Sequence, residues 1–421
     1  MDAVRKRCKL LGFIFTLLMM AGIIALACTY ILFYFDGNSS IQNDFQTTSS
    51  PHLLVSPIPN PNIPATSCGK RIMSYQRGWE VDVEERQLKK LTHMIFCFVS
   101  MNSNGDVSLS SNQMRASLSD MKTKARAVKN DVKMMVAIGG AGGGSMHFSK
   151  VLANERTRKY VLRAEKSTFL SSRNFIDSIS SFLVIHQLDG VDIFWIWPEG
   201  KDVENIVIFM KELRIKLTNQ AEAENRKEAY VISMVIPRRP SLLEALNKLD
   251  EVLEYADFLN ALTYDYFGPA WYPDTGPVAP LYSGTKGNEK LEFVGRYWKN
   301  VKGPIDESDE MWRMAEYVNG SIEGQSFSWK TLESGAFDKT SAVWHDASKS
   351  SYIWIPEEKT FVTFEGERSL MEKMHYAKNK NLGGILIWTV GSDDDEDTLL
   401  NLVSKYNFCK NDDRDSVNYE C

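Results

Sequence analysis

Eight short apolar runs, separated by segments with the pattern of amphipathic helices, constrain the fold of this chain more than any other feature. The runs are of strand length and mostly apolar, which is typical of strands buried on both faces. In the helical segments, such as 174–188 and 203–217, apolar residues recur every three or four positions. Alternation of strand and helix predicts a parallel sheet, and eight such units predict an α/β fold of the (β/α)8 TIM barrel type. The runs begin at Arg71, His93, Lys133, Gly190, Tyr230, Asp257, Leu291 and Gly383.

Two spacings depart from a regular barrel. Only residues 283–290 separate the loop after the sixth run from the seventh run, which leaves little room for a crossover helix and indicates an incomplete barrel there. The segment between the seventh and eighth runs is long enough for a small inserted subdomain, expected around 302–365. A wrongly joined gene model would leave the same irregular spacings, and sequencing the transcript would distinguish the two interpretations.

The N-terminal segment predicts a membrane anchor. Residues 5–9 are rich in basic side chains, and they precede an uncharged, mostly apolar run at 10–35. At about 1.5 Å per residue, this run is long enough to cross a hydrocarbon core of about 30 Å. The positive-inside bias places residues 1–9 in the cytosol and the rest in the lumen or outside the cell, as a single-pass type II membrane protein. Cleavage after the small residues 25–27 is the alternative, and it would release a secreted protein.

The composition changes again after the apolar run. Residues 36–67 are rich in Ser, Thr, Asn and Pro and too polar to form a core, which predicts a stem. The barrel domain is expected to occupy residues 68–421. Two Asn-x-Ser triplets, at Asn38 and Asn319, fall on the exported side and are candidate glycosylation sites.

Four cysteines also fall on the exported side, in a compartment that permits disulfides. Cys97 lies inside an apolar run and is expected to be a buried thiol. Cys68 opens the predicted barrel and Cys409 nearly closes it, so a bridge between them is a candidate, although sequence does not decide connectivity.

Charge and histidine content narrow the functional classes. A net charge of -5, with acids and bases mixed along the chain, excludes the strongly basic face of a nucleic-acid-binding protein. The six histidines are scattered without ligand spacing, and no metal or other cofactor is predicted. The acidic segment 392–397 is interpreted as a solvated loop.

The fourth apolar run carries the strongest functional signal. It reads LDGVDIFWIWPEG over residues 188–200. Side chains two residues apart on a strand share a face, so Asp192, Phe194 and Ile196 are expected to share one. The two residues expected to share a face with Asp192 are therefore both apolar.

This run resembles the DGxDxDxE signature of glycoside hydrolase family 18, the chitinases. Three further motifs resemble family signatures in the family's order: VAIGG with Ala137 for Ser, LTYDYFG with Leu262 for Met, and LGGILIW, which keeps Trp388. The segment from Cys68 to about Cys409 is most similar to chitinase-like proteins that lack the catalytic acids, including membrane-anchored proteins of the nematode type. The resemblance implies the TIM barrel fold.

The resemblance also implies a chemistry that this chain lacks. In the family, catalysis is substrate-assisted: the Glu that ends the signature protonates the glycosidic oxygen, and the sugar's acetamido oxygen attacks the anomeric carbon. A neighbouring Asp stabilises the acetamido group. These positions are Ile196 and Phe194 here, and loss of a general acid alone lowers a rate by about 10²- to 10⁴-fold. The chain is therefore expected to be a pseudoenzyme.

An active chitinase with a displaced acid is the alternative. Glu199 lies three residues beyond Ile196, on the opposite face of a continued strand, and Pro198 indicates that the strand is already ending. Both observations disfavour Glu199 as a substitute proton donor.

The resemblance implies a set of glycan-binding residues as well. Trp388 corresponds to the aromatic floor beneath the sugar, Tyr264 and Asp265 correspond to the pair that contacts the N-acetyl group, and Asp192 supports the missing acids. The implied partners are chitin or N-acetylglucosamine oligomers. A protein-interaction scaffold without a glycan cleft is the competing hypothesis, and it is favoured if Phe194 and Ile196 close the pocket.

Overall fold

A computed structural model of the 421-residue chain describes residues 69–80, 83–128, 132–141, 145–153, 167–237, 239–282 and 291–409. The predicted cytoplasmic tail, anchor and stem lie outside the described residues, as do Asn38 and Cys68. No helix in the described ranges is long and apolar enough to cross a membrane.

The strands are numbered in chain order. They are β1 (Arg71–Arg77), β2 (His93–Met101), β3 (Val107–Ser108), β4 (Lys133–Gly139), β5 (Gly190–Phe194), β6 (Val231–Ile236), β7 (Phe258–Ala261), β8 (Leu291–Glu292), β9 (Val294–Trp298), β10 (Val301–Asp306), β11 (Asp309–Ala315), β12 (Tyr317–Val318), β13 (Ser321–Ile322), β14 (Gly324–Ser328), β15 (Val343–His345), β16 (Ser350–Ile355), β17 (Thr360–Phe364) and β18 (Gly384–Trp388).

The helices follow the same convention. They are α1 (Glu85–Leu88), α2 (Asn112–Ala127), α3 (Phe148–Leu152), α4 (Ser167–His186), α5 (Val203–Ala223), α6 (Pro240–Ala245), α7 (Leu249–Leu253), α8 (Trp329–Thr331), α9 (Glu367–Asn379) and α10 (Thr398–Lys405).

Helix α5 shows how the sequence pattern produces the layers. Its buried side chains recur every three or four residues, so one face of the helix packs on the sheet. Full burial of each such side chain stabilises the fold by about 1.5–3 kcal/mol. They include Val203, Ile206, Met210, Leu213 and Leu217.

The central sheet is a nearly closed parallel barrel. Its strands follow the order β7–β6–β5–β4–β2–β1–β18–β8, and β3 pairs antiparallel with β2. Every neighbouring pair in that order is parallel. The barrel fold predicted from the sequence is confirmed at this level.

The seventh apolar run does not form one full barrel strand, and this corrects the expectation of eight equal strands. β8 pairs with β18 only at Ile387 and Trp388, and the rest of the run forms β9 of a separate antiparallel sheet. A side chain at Gly295 in β9 would meet the Phe327 ring at 2.2 Å, so glycine there permits packing within that second sheet. No pairing joins β7 to β8 within the described residues, and the sheet is open at that point.

Alternation along the barrel strands separates two apolar layers. The outward layer packs against the helices and includes Met94, Met134, Ile193 and Met234. The inward layer fills the barrel and includes Ile95, Met135, Phe194 and Val235. Asp192 and Phe194 therefore share the inner face, as the sequence predicts.

The insertion between β8 and β18 has its own sheet and core. Its larger sheet is antiparallel in the order β14–β9–β17–β16–β15, and the core of the insertion includes the fully buried Trp298, Met311 and Phe361. The inserted strands run from Val294 to Phe364, so they begin earlier than the position 302 expected from the sequence.

Candidate functional site

Most of the candidate residues meet at the carboxyl ends of the barrel strands. β5 ends at Phe194, β18 ends at Trp388, and Tyr264 follows β7. The parallel register places Tyr75 of β1 opposite Trp388. Active sites of TIM barrels lie on this face because the loops after the strands converge there. The structure brings these residues together with Asp192 around the Tyr75 side chain.

Asp192 is a fully buried carboxylate with three hydrogen-bond donors. Its Oδ2 accepts from the Tyr75 hydroxyl at 2.7 Å, and its Oδ1 accepts from Ser233 Oγ at 2.6 Å and Asn260 Nδ2 at 3.0 Å. Burial raises the pKa of Asp192 above its ordinary value, although the three hydrogen bonds act in the opposite direction. Burial also raises the pKa of Tyr75, and the nearby Asp192 adds to the effect. With 0% of its surface exposed, Asp192 cannot itself donate a proton to a substrate.

Phe194 fills the space above Asp192 with an aromatic ring. Only 2% of the residue is exposed. Its ring centre lies 4.8 Å from that of Phe98 and 5.4 Å from that of Tyr75, both in edge-to-face arrangements. The Trp388 ring lies 6.5 Å away. Phe194, which the sequence resemblance aligns with the acetamido-stabilising Asp, is thus part of the packed barrel interior.

Ile196 stands just beyond the end of β5. Its half-buried side chain packs against the inner apolar layer. Its backbone N–H donates to Ser145 Oγ at 2.8 Å, and the same Oγ lies 3.1 Å from the carbonyl oxygen of Phe194. Ser145 therefore fixes the turn in which the family carries its proton donor.

Glu199 points away from this turn. It is exposed, and its carboxylate forms a 2.8 Å ion pair with Lys201, with 68% of the Glu199 side chain accessible. The strand ended at Phe194, so the carboxylate does not return to the inner face. The geometry gives no support to Glu199 as a displaced acid.

Trp388 is half-buried among aromatic and cationic neighbours. Its ring stacks on Tyr264 with 5.5 Å between ring centres, and Tyr75 meets it edge-on at 5.4 Å. The guanidinium carbon of Arg77 lies 5.7 Å from its centre, and Arg77 is ion-paired with Glu80. Part of the Trp388 surface stays accessible on the carboxyl face of the barrel.

Asp265 forms an ion pair with a residue of the insertion. Arg296 of β9, whose side chain is buried, donates to Asp265 Oδ1. Asp265 also has a positive φ of 59°, a conformation that Asp tolerates better than most residues. The Tyr264–Asp265 pair of the sequence motif is therefore divided between the aromatic cluster and the insertion.

Sequence reasoning missed several residues that the fold brings to the site. Tyr75, Ser233 and Asn260 converge on Asp192 from three different strands. Their only sequence signal is a polar side chain at an inward position of an apolar strand. A cavity of about 290 Å³ also opens on this face, lined by residues that follow β5 and β6: Trp197, Pro237, Arg239 and Leu242.

The insertion contains an array with the residue types of a nucleophilic triad. His345 Nδ1 lies 2.7 Å from Ser348 Oγ, and His345 Nε2 lies 3.2 Å from Asp309 Oδ1. Ser348 is 0% exposed, so its hydroxyl cannot reach a substrate, and the array is structural. In the described part of the chain, no group of three or more His, Cys, Asp or Glu side chains could hold a metal ion.

The remaining predicted positions lie outside the cluster. Cys97 is a buried free thiol, which confirms that prediction. Cys409 is disulfide-bonded, and because Cys68 lies outside the described residues, their pairing stays a prediction. Asn319 is exposed in the turn between β12 and β13.

The nearly closed parallel barrel, with Phe194 at the carboxyl end of β5 and Trp388 at that of β18, defines a fold of the (β/α)8 type. A match to the model of glycosyl hydrolases family 18 covers residues 71–393, more than half of the chain. The chain belongs to that family.

Comparisons with individual proteins agree. The chain is 25% identical over 327 residues to the oviduct-specific glycoprotein of Mesocricetus auratus, covering 72% of this chain and 46% of that protein. It is 24% identical over 341 residues to a Caenorhabditis elegans protein named "Probable endochitinase", covering 72% and 52%. The chain therefore spans about half the length of these curated relatives.

A solved structure gives the same fold. A mutant of the class V chitinase from Nicotiana tobaccum, in complex with NAG4, has a TM-score of 0.64 and 17% identity, over 80% of this chain and 98% of that one. At this level of identity the match shows the fold alone.

Proposed function

We propose that the barrel is a catalytically inactive chitinase-like domain. The observation that carries the proposal is the Phe194 ring, which is packed into the barrel at the position of the family's acetamido-stabilising Asp. Ile196 occupies the position of the proton donor and has no ionisable group. Asp192 is buried and has no access to solvent, whereas Glu199 is exposed and pairs with Lys201. Neither carboxylate therefore supports a substitute mechanism.

The domain binds chitin or other N-acetylglucosamine oligomers without cleaving them. Binding needs no proton donor, and an indole ring can stack on the apolar face of a sugar. Trp388 keeps accessible surface, and the exposed Trp79 and Trp271 lie in loops on the same face of the barrel. The tobacco structure of the same fold holds NAG4. Because Phe194 fills the space that the acetamido group would enter, the sugar lies higher in the cleft and the affinity is low.

Calorimetric titration of the full-length chain with N-acetylglucosamine tetramers tests this binding. We expect saturable heat at millimolar ligand and about tenfold weaker binding in Trp388→Ala, which loses the stacking surface. Trp344→Ala is the matched control, since Trp344 is a half-buried tryptophan of the insertion, stacked by Arg368 at 4.0 Å, and its loss should leave binding unchanged.

A protein-interaction scaffold is the second candidate, and one observation favours it. Phe194 is only 2% exposed, and Trp388 is surrounded by the rings of Tyr75 and Tyr264. Absence of heat at millimolar ligand, or binding that is indifferent to Trp388→Ala, would contradict the glycan-binding proposal and favour the scaffold.

The proposed topology is a cytoplasmic tail at 1–9, a signal anchor at 10–35, a stem at 36–67 and an exported barrel at 68–421. It rests on the length of the apolar run, its basic flank and the sequons. The oviduct relative is itself named a glycoprotein, which supports glycosylation of this chain. Cleavage after the apolar run remains the secreted alternative.

A further inference from the structure

A cavity of about 340 Å³ runs along β7, from the amino ends of the neighbouring barrel strands to Thr263 just beyond the end of β7. It is lined by Arg71, Phe258 and Gly384, the first residues of β1, β7 and β18. It follows the edge of β7 that faces away from β6, and no strand in the described ranges pairs with that edge. The facing edge of β18 pairs with β8 only near the carboxyl end of β18. The shortened seventh strand therefore leaves room for the cavity.

Arg71 is a buried cation in the wall of this cavity. The residue is 4% exposed, and its guanidinium carbon lies 4.4 Å from the centre of the Phe258 ring. Its Nε has no hydrogen-bond partner, and no carboxylate of the described residues lies within ion-pair distance of the group. Buried arginines are almost always paired, because a desolvated charge without a partner is costly.

The other polar groups near Arg71 in the described part of the chain are uncharged or cationic where their contacts with it are known. Burial, together with the charges of Arg71 and Lys133, lowers the pKa of His93 to about 3, so this imidazole is neutral at ordinary pH. Thr263 Oγ1, which also lines the cavity, is buried and has no hydrogen-bond partner in the described part of the chain. Two buried polar groups in one cavity thus lack a partner from the protein.

We propose that this cavity binds a small organic anion, a carboxylate with an apolar body. A guanidinium presents parallel N–H donors that match the two oxygens of a carboxylate, and the Thr263 hydroxyl adds a third donor. Met73, Phe258 and Leu386 offer the apolar contact surface. The volume lies within the range of small-molecule sites, about 300–1,000 Å³.

Thermal unfolding of the full-length chain with benzoate and with its uncharged analogue benzamide tests the proposal. Benzoate should raise the midpoint of unfolding saturably in the millimolar range, and benzamide should not. Arg71→Met should weaken the apparent affinity for benzoate at least about tenfold. Without ligand, the same variant should unfold at the same or a higher temperature, because it removes an unpaired buried charge.

Two further variants sharpen the test. Arg226 is the matched control, because its guanidinium carbon also lies over an aromatic ring, 4.1 Å from the centre of Tyr230. It is ion-paired with Asp189 and does not line the cavity, so Arg226→Met should keep the benzoate response. Ala261→Leu should weaken the response by filling the cavity while leaving Arg71 in place. An equal response to benzamide, or an unchanged response in Arg71→Met, would overturn the proposal. If Arg71→Met does not fold, the benzamide comparison and Ala261→Leu still decide it.

Discussion

At the residue scale, Phe194 determines both the packing and the chemistry of the candidate site. Its ring contacts the rings of Phe98 and Tyr75, and each aromatic pair of this kind adds about 0.5–1.5 kcal/mol beyond the burial of its surface. This ring fills the barrel interior at the position where the resemblance to the family predicts an acetamido-stabilising Asp. Under the proposed function, the same side chain therefore adds core packing and leaves the acetamido group without a stabilising carboxylate.

The buried Asp192 makes a pH-dependent contribution to stability. Because burial raises its pKa, the folded chain binds the carboxyl proton more tightly than the unfolded chain does. This contribution is fully present below the unfolded pKa of about 3.9 and is lost as the pH rises through the folded pKa. Asp192→Asn keeps the shape and removes the titration. We expect the free energy of unfolding of Asp192→Asn, relative to the natural chain, to increase with pH.

Urea denaturation of the two proteins between pH 4 and pH 8 measures this difference. Tyr75 and Ser233 carry hydroxyls that can rotate to accept from an amide, so the variant is expected to fold. If the difference in the free energy of unfolding between the two proteins is constant across this pH range, the raised pKa of Asp192 is contradicted.

At the element scale, Asp397 ties the last helix to the first. It immediately precedes α10, is 0% exposed, and lies 2.6 Å from Arg86 Nη1 and 2.7 Å from Lys90 Nζ at the end of α1. Gln87 Nε2 donates to its other oxygen at 2.9 Å. Asp397→Ala should lower the free energy of unfolding by about 2–3 kcal/mol. This is less than the loss of about 3–5 kcal/mol that is typical of breaking a fully buried ion pair, because both cations are partly exposed to solvent.

Chemical denaturation with a neighbouring variant as control tests this clamp. Asp395, in the same acidic segment, is exposed and pairs with Lys330 on the surface, so Asp395→Ala should change stability by less than about 0.5 kcal/mol. Equal losses in the two variants would show that Asp397 has no special role.

The sequence predicted elements well where the signal was local and poorly where it was long-range. Continuous apolar runs gave the barrel strands, because a strand buried on both faces needs apolar residues throughout. The acidic segment 392–397, in contrast, is only partly the solvated loop that was expected. Asp393 and Asp397 are buried there, since the amides of α10 and the cations of α1 meet them only in the folded chain.

The same distinction holds for the candidate site and for the seventh strand. Two-residue alternation was enough to place Asp192 and Phe194 on the inner face. The convergence of Tyr75, Ser233 and Asn260 on Asp192 joins three distant strands, which no local pattern encodes. The division of the run at 291–298 between two sheets likewise depends on the partner strands of the insertion.

At the scale of the whole molecule, the two ends of one barrel carry different features. The carboxyl end holds the candidate site, and the Arg71 cavity begins at the amino ends of β1, β7 and β18. The shortened β8 pairs with β18 only at Ile387 and Trp388, and among the described residues no strand pairs with that edge of β18 from Gly384 to Leu386. This departure from the regular barrel therefore lies beside the cavity and beside Trp388 of the candidate site.

The proposed topology predicts a glycosylated barrel. Asn319 is exposed in a hairpin turn, so a chain exported beyond residue 35 should carry a glycan there. Endoglycosidase treatment should increase the electrophoretic mobility of the expressed full-length chain, and Ser321→Ala, which removes the triplet but keeps Asn319, should reduce that shift. A chain that shows no shift, and whose barrel is digested by protease from the cytosolic side, would contradict the topology.

Hydrolysis of chitooligosaccharides by the purified full-length chain tests the central claim most directly. We predict no product above buffer, because Ile196 cannot protonate the leaving oxygen and Phe194 cannot stabilise the acetamido group. Glu199→Gln should be equally silent, since Glu199 faces solvent and pairs with Lys201. Turnover by the natural chain that disappears in Glu199→Gln would contradict the account and establish a displaced general acid.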